Sequence, residues 1–251
     1  VIMQVLLRNP LADPYILGIS GGAAVGALSA ILLGFSGLWL SNAAMLGALV
    51  SVLIVFGLAN RFGQWSATRL LLTGVVLSAG WGAIINILLT TSSSNNVQSM
   101  LFWLMGDLSR ATVSLPHFLL LLAAFAGGMF ISRSLNVFAR GEQEAASLGV
   151  NVAALRLCLY FAASLLTAIA VTIAGSVGFV GLVTPHLLRM LGARDHRILI
   201  PGSLLLGGSF LAIADSLART VVAPQQLPVG VVTAIIGVPS FLIILRSTIQ
   251  R

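Results

Sequence analysis

Gly18-Ile19-Ser20-Gly21-Gly22 has the G-x-S-x-G spacing of a serine nucleophile, and His186 is a residue able to serve as its base. Together they would make an intramembrane serine protease. That elbow requires a strand before the serine, and no strand-like stretch precedes Gly18. Glycine is abundant in this chain, and His186 follows the helix-bending Pro185 close to arginines, so helix packing competes for the same residues. Asp215 lies four residues before Arg219 near the end of an apolar run, a spacing at which the two can pair on one helix face. An acid inside a membrane span can also serve proton coupling. No other acid lies deep in an apolar run, which argues against a proton-driven secondary carrier. His117 and His196 fall at the ends of apolar runs and read as interface residues. Cys158 is the single cysteine, so there is no disulfide framework and no metal cluster. The chain has no G-x-x-x-x-G-K-[ST] motif and no lysine, so it is not itself a P-loop ATPase. If transport here is active, its energy comes from elsewhere.

One further stretch differs from the rest. Arg140-Gly141-Glu142-Gln143-Glu144-Ala145-Ala146-Ser147-Leu148-Gly149-Val150-Asn151 holds both glutamates among the six acidic residues of the chain. It is a short helix patterned for water, with Ala145, Leu148 and Val150 as apolar positions suited to a groove on a soluble partner.

The elements that position these residues follow from composition. Of 251 residues 58% are hydrophobic and 8% charged, which excludes a soluble domain, where charge approaches about a quarter. The apolar runs are long and lack the alternation of an outer-membrane barrel, so each reads as a spanning helix. The fold class is therefore all-α, a polytopic transmembrane bundle. Val1 to Leu7 is too short to span and reads as the tail of a helix that begins outside the sequence. Arg8-Asn9-Pro10-Leu11-Ala12-Asp13-Pro14 must break helix. Apolar runs follow at 15–34, 38–59, 69–91, 115–138, 152–175, 177–192, 197–220 and 227–247, giving about eight spans.

All thirteen cations are arginine. With Arg8 inside and eight crossings, only Arg110 and Arg219 fall outside, an eleven-to-two split. If 177–192 fails to cross, the split becomes seven to six, so the positive-inside rule favours eight crossings. The net charge of +7 is thus an orientation signal rather than a nucleic-acid patch. Gly18, Gly22 and Gly26, Gly127-Gly128 and Gly207-Gly208 are small residues that let helices approach in lipid. Gly175, Gly178, Gly181 and Pro185 predict a bent or interrupted helix. Between 92 and 114, Ser92-Ser93-Ser94-Asn95-Asn96 reads as a turn, and Met100 to Asp107 as an apolar piece at the outer surface with Trp103 at headgroup level.

Several segments resemble the FecCD-type permeases, the membrane subunits of bacterial ABC importers for ferric siderophores, haem and cobalamin. They are Arg8 to Pro14 with Leu17-Gly18-Ile19-Ser20, Gly141-Glu142 through Leu148-Gly149, Gly178-Phe179-Val180-Gly181-Leu182-Val183-Thr184-Pro185-His186 with Asp195-His196-Arg197, and Ala214-Asp215 with Leu227-Pro228-Val229-Gly230-Val231-Val232-Thr233-Ala234. The resemblance runs the whole length in order. It implies the type II importer permease fold, with about eight of an expected ten helices here, the first and most of the second being absent. It also implies one transmembrane domain over 1–251, a bacterial inner-membrane location and no enzymatic activity. The partners would be cytoplasmic ATPases that bind ATP and Mg, a periplasmic binding protein, and a second permease copy or paralogue. No cofactor or metal would bind this chain. By resemblance, 140–151 is the cytoplasmic coupling helix, with Gly141, Glu142, Glu144, Ala145, Leu148 and Gly149 meeting the ATPase. Arg219, and secondarily Arg110, would dock the binding protein. Arg69 to Thr91 resembles the pathway helix at the dimer interface, with Thr73, Ser78 and Asn86 on it and a gate at Ser66-Ala67-Thr68. A ferric siderophore is the expected cargo, with cobalamin, haem or an oxyanion as alternatives within the family.

Overall fold

A computed structural model of the protein describes residues 1–60, 66–109, 111 and 114–249. In chain order these form α1 (Ile2–Leu6), a single turn of 3-10 helix (Pro14–Leu17), α2 (Ile19–Leu32), α3 (Leu38–Asn60), α4 (Ala67–Thr91), α5 (Ser94–Met105), α6 (Leu115–Phe130), α7 (Ser132–Phe138), α8 (Glu142–Ser147), α9 (Val152–Ala174), α10 (Val180–Met190), α11 (His196–Thr220) and α12 (Val229–Ile249). The described residues contain no strand. Every apolar run named above contains a helix. Four of them, α3, α4, α9 and α11, are long and apolar enough to cross a membrane, and the pair α6–α7 is a fifth candidate. Shorter apolar helices lie at Ile19–Leu32 and Val229–Leu242, and the run at 177–192 holds the eleven-residue α10, Gly175 to Phe179 taking up its start as Pro14 and Gly18 take up one end of the run at 15–34.

Two expectations change. The run 115–138 is not one straight helix: it bends by 58° between α6 and α7. No proline is there; Gly127-Gly128 precedes the break, and the Ser132 hydroxyl donates to the Met129 carbonyl at 2.7 Å, the kind of glycine and serine site at which helices kink. The expected turn at 92–96 shrinks to Ser92-Ser93, since Ser94, Asn95 and Asn96 form the first turn of α5.

The helices fall into two compact groups. One comprises residues 14–112 and 163–176. In it α2 and α3 touch backbone to backbone: a side chain at Gly22 would strike the Gly47 carbonyl, and one at Gly26 the Ala43 carbonyl. The small-residue stripe is thus a packing device. Gly74 of α4 meets the Ile16 carbonyl in the same manner. Gly18 has φ +74°, a left-handed conformation that lets the 3-10 turn pass into α2. Its carbonyl accepts from the Ser51 hydroxyl at 2.8 Å, and that hydroxyl accepts from Trp81 Nε1 at 3.1 Å, so a polar chain ties α2, α3 and α4 together.

The other group comprises residues 1–13, 113–162 and 177–251. Here α10 packs on α11, with Gly202 facing Leu188 and Gly207 facing Val180 and Thr184. Phe179 caps α10 with φ 70°, and its side chain fills the space a Cβ at Gly237 of α12 would need. The predicted interruption before Pro185 is present: α9 ends at Ala174 and helix resumes only at Val180.

Candidate functional site

The segment 140–151 is a six-residue helix held at both ends by identifiable contacts. Glu142 and Glu144 occupy its first turn, where the unpaired amides favour negative charge. Glu142 also accepts from Arg156 Nη2 of α9 at 3.0 Å, which anchors α8 to its successor. At the other end Gly149 N–H donates to the Ala146 carbonyl at 3.0 Å and Val150 N–H to the Ala145 carbonyl at 2.9 Å. This is the Schellman pattern, closed by Gly149 at φ +82°. Asn151 Oδ1 then accepts from the Ala154 N–H at 3.0 Å and starts α9. Ala145 is fully buried and seats the helix within its own chain. Leu148 is 69% exposed and is the apolar side chain that α8 offers to solvent.

The residues assigned to a pathway and gate all lie on or next to α4, but not on one face. Thr68 and Asn86 are exposed and sit about five helical turns apart, hence at the same azimuth. Leu72, Val75 and Val76 are exposed on the same side of the helix, and only 11% of the apolar window of α4 is buried. Ser66 and Thr73 are half-buried. Ser78 lies about 80° round the helix from them and is half-buried, and its hydroxyl would crowd any side chain placed at Gly18. So α4 brings Thr68 and Asn86 onto one surface and leaves Ser66, Thr73 and Ser78 half-buried.

Arg219 Nε donates to Asp215 Oδ2 at 2.8 Å, forming the ion pair expected from the i,i+4 spacing. The guanidinium keeps 41% of its side-chain surface exposed. Arg110 lies outside the described residues. The Ser20 hydroxyl pairs with the Ser176 hydroxyl at 3.0 Å, so its described partner is not an imidazole. His117 lies in the first turn of α6, its Nδ1 2.6 Å from the Ser114 hydroxyl in a capping box.

Two residues escaped sequence reasoning. Gln4, 3% exposed, donates from Nε2 to the Gly181 carbonyl at 3.3 Å and accepts from Arg189 Nη2 at 2.7 Å. Pro185 has no N–H to give that carbonyl, so Gln4 satisfies the group that the proline orphans. Asn136 of α7 accepts from both the backbone N–H and Nδ1 of His196, at 2.9 Å and 2.6 Å, and donates to Asp195 Oδ1 at 2.7 Å. His196 is consequently buried against protein rather than placed at an interface. Asp195 caps α11: the Arg197 N–H, and after it the Asn136 amide, hold its carboxyl below the usual carboxylate range.

Apolar helices exposed along their length, a break in the helix ahead of Pro185, and one short polar helix anchored to the long α9 define an integral membrane protein of the transporter type. Residues 1–247 match the FecCD transport family, and the chain belongs to it as an ABC importer permease. It is 42% identical to the hemin transport system permease protein HmuU of Yersinia pestis, over 100% of this chain and 77% of that protein. It is 41% identical to the uncharacterized ABC transporter permease protein YvrB of Bacillus subtilis, over 96% of this chain and 70% of that one. It is 40% identical to the vitamin B12 import system permease protein BtuC of Escherichia coli, over 96% and 74%. A solved structure described as an inward-facing conformation of a metal-chelate type ABC transporter superposes with a TM-score of 0.88 at 33% identity, covering 98% of this chain and 79% of that one.

Proposed function

We propose that the chain is the membrane subunit of an ATP-driven, binding-protein-dependent importer that carries an iron complex inward across the bacterial inner membrane by alternating access, a ferric siderophore being its cargo. The observation that carries this reading is the family match over residues 1–247 together with a hemin permease, itself an iron-chelate carrier by name, at 42% identity. On this reading two permeases, identical or paralogous, pair around a shared pathway. The exposed face of α4 with Thr68 and Asn86 contributes to it, and Ser66 and Thr68 stand at the gate. The rigid α8, with Leu148 outward, enters a groove of the ATPase, which binds ATP and Mg. Arg219, and secondarily Arg110, meet acidic residues of a periplasmic binding protein. The arginine bias supports a cytoplasmic 140–151 and a periplasmic 92–110.

A substrate panel tests the cargo. Proteoliposomes holding this permease, its ATPase and its binding protein are given labelled ferric siderophore, haem and cyanocobalamin in turn. Uptake of the iron chelates above cobalamin is expected, and transport of cobalamin alone contradicts the reading.

A further inference from the structure

The arginines of a membrane protein usually orient it and face water, yet three of them converge here on one cavity. Its volume is about 500 Å³, and Arg8, His186, Arg189, Arg194 and His196 line it alongside Gln4. All of these belong to the same compact group of helices. No carboxylate is among the lining residues. Asp195, the acid next to His196 in sequence, is turned to the Arg197 N–H and the Asn136 amide.

Polar atoms of the lining residues are held in place but unspent. Among the described residues, Arg189 Nη1, His186 Nδ1 and His196 Nε2 are buried atoms without a hydrogen-bond partner. Each such atom costs free energy unless something satisfies it. Arg189 is held by Gln4 through Nη2 at 2.7 Å, which leaves Nη1 as the unused arm of its fork. His196 is only 5% exposed and is held through Nδ1 by Asn136, which leaves Nε2 as its unused nitrogen. Arg8 adds a backbone observation. It has φ 47° at the end of α1, where Arg8 N–H donates to the Val5 carbonyl at 3.1 Å and Asn9 N–H to the Gln4 carbonyl at 3.0 Å. That is a Schellman terminus whose left-handed position ordinarily takes glycine. A side chain there is strained, a cost that persists where a functional group is wanted.

Guanidinium forks with no counter-charge among the lining residues match the tetrahedral oxygens of a phosphate group, and His196 Nε2, an acceptor once Nδ1 donates to Asn136, suits a protonated phosphate oxygen. A volume within the roughly 300–1,000 Å³ of small-molecule sites admits more than bare phosphate. We propose that this cavity binds a phosphate group, the headgroup of an anionic phospholipid being the source that a basic pocket at the end of membrane helices favours, with free phosphate as the other source of the same chemistry. The orientation proposed above sets only which leaflet supplies the lipid. Neither the cargo nor the ATPase enters the argument, so failure here leaves the transport reading untouched.

The test uses the full chain, delipidated in nonionic detergent, and follows Tm as ligand is added. The ligands are inorganic phosphate, phosphatidylglycerol, and phosphatidylcholine with sodium chloride at matched ionic strength. A saturable rise with phosphatidylglycerol alone assigns the headgroup; a rise with inorganic phosphate as well assigns the free anion. Arg8→Gln and Arg194→Gln remove exposed side chains, and unliganded Tm values equal to wild type show that the variants fold. Each is expected to raise the half-saturating concentration about tenfold, the loss of one charge-assisted hydrogen bond. Equal half-saturation in wild type and both variants, or no shift beyond the phosphatidylcholine control, overturns the proposal.

Discussion

Replacing Gly149 by alanine isolates the geometry of the polar helix from every other property of the chain. Gly149 has φ +82°, and a Cβ built there meets nothing within 4 Å, so alanine introduces no clash and acts through the backbone alone. An alanine held left-handed costs about 1–2 kcal/mol, which corresponds to a roughly 5- to 30-fold shift between closed and opened forms of the turn. The closed form is the one that fixes Leu148, 69% exposed, at the end of α8. Local opening relieves the strain, so the rest of the fold has little reason to respond. We expect Gly149→Ala to weaken ATPase association about fivefold or more with Tm almost unchanged, and Gly149→Asn, which tolerates the left-handed region, to stay near wild type. Leu148→Asp should abolish association outright while the subunit still inserts, because the side chain is exposed before docking. The assay is equilibrium binding of purified ATPase to the detergent-solubilised permease, paired with thermal unfolding. Wild-type affinity in both Gly149→Ala and Leu148→Asp would refute the idea that α8 is the coupling element.

The remaining predictions concern topology, docking and acid stability. In a Cys158→Ser background, single cysteines at the exposed Ser94 and Ser147 should be labelled by a membrane-impermeant maleimide from opposite faces; labelling from one face only would reject the arginine-based orientation. Arg219→Glu should slow association of the binding protein and flatten its salt dependence, since the Debye length shrinks from about 10 Å at 0.1 M to about 3 Å at 1 M. Unchanged rate and salt slope would reduce Arg219 to a partner of Asp215. The Asp195 carboxyl is depressed by the Arg197 N–H and then the Asn136 amide, so its stabilisation is present above the unfolded pKa of about 3.9 and is lost as pH falls through the lower folded value. A profile of Tm against pH should therefore fall less steeply below about pH 4 in Asp195→Asn than in wild type, and parallel profiles would show the cap to be inert.

Local signals carried the parts of this molecule that the sequence made legible. Gly141 to Asn151 announced α8 because its glutamates, its closing glycine and the asparagine that starts α9 are all neighbours in the chain. Gly22 and Gly26 announced close packing, but nothing local named Gly47 as the backbone they touch. The bend after Phe130 stayed hidden because no proline marks it, only Gly127-Gly128 and the hydroxyl of Ser132. Gln4 was invisible for another reason: its partners, the Gly181 carbonyl and Arg189, lie far along the chain, and a glutamine in a short helix advertises nothing. His196 read as an interface residue because its position at a helix end was visible, while Asn136, which buries it, was not. Thr73 and Ser78 share a helix with Asn86, yet helical periodicity turns them about 140° and 80° away from it, and both are half-buried.

The central claim, that this permease moves its cargo only at the expense of ATP hydrolysed by a separate subunit, is tested most directly by uptake into proteoliposomes whose ATPase is either wild type or disabled at its P-loop lysine. We predict accumulation of ferric siderophore with ATP and the intact ATPase, and none with the disabled ATPase. Accumulation that persists with the disabled subunit, or that follows an imposed proton gradient without ATP, would contradict the account and make the chain a secondary carrier.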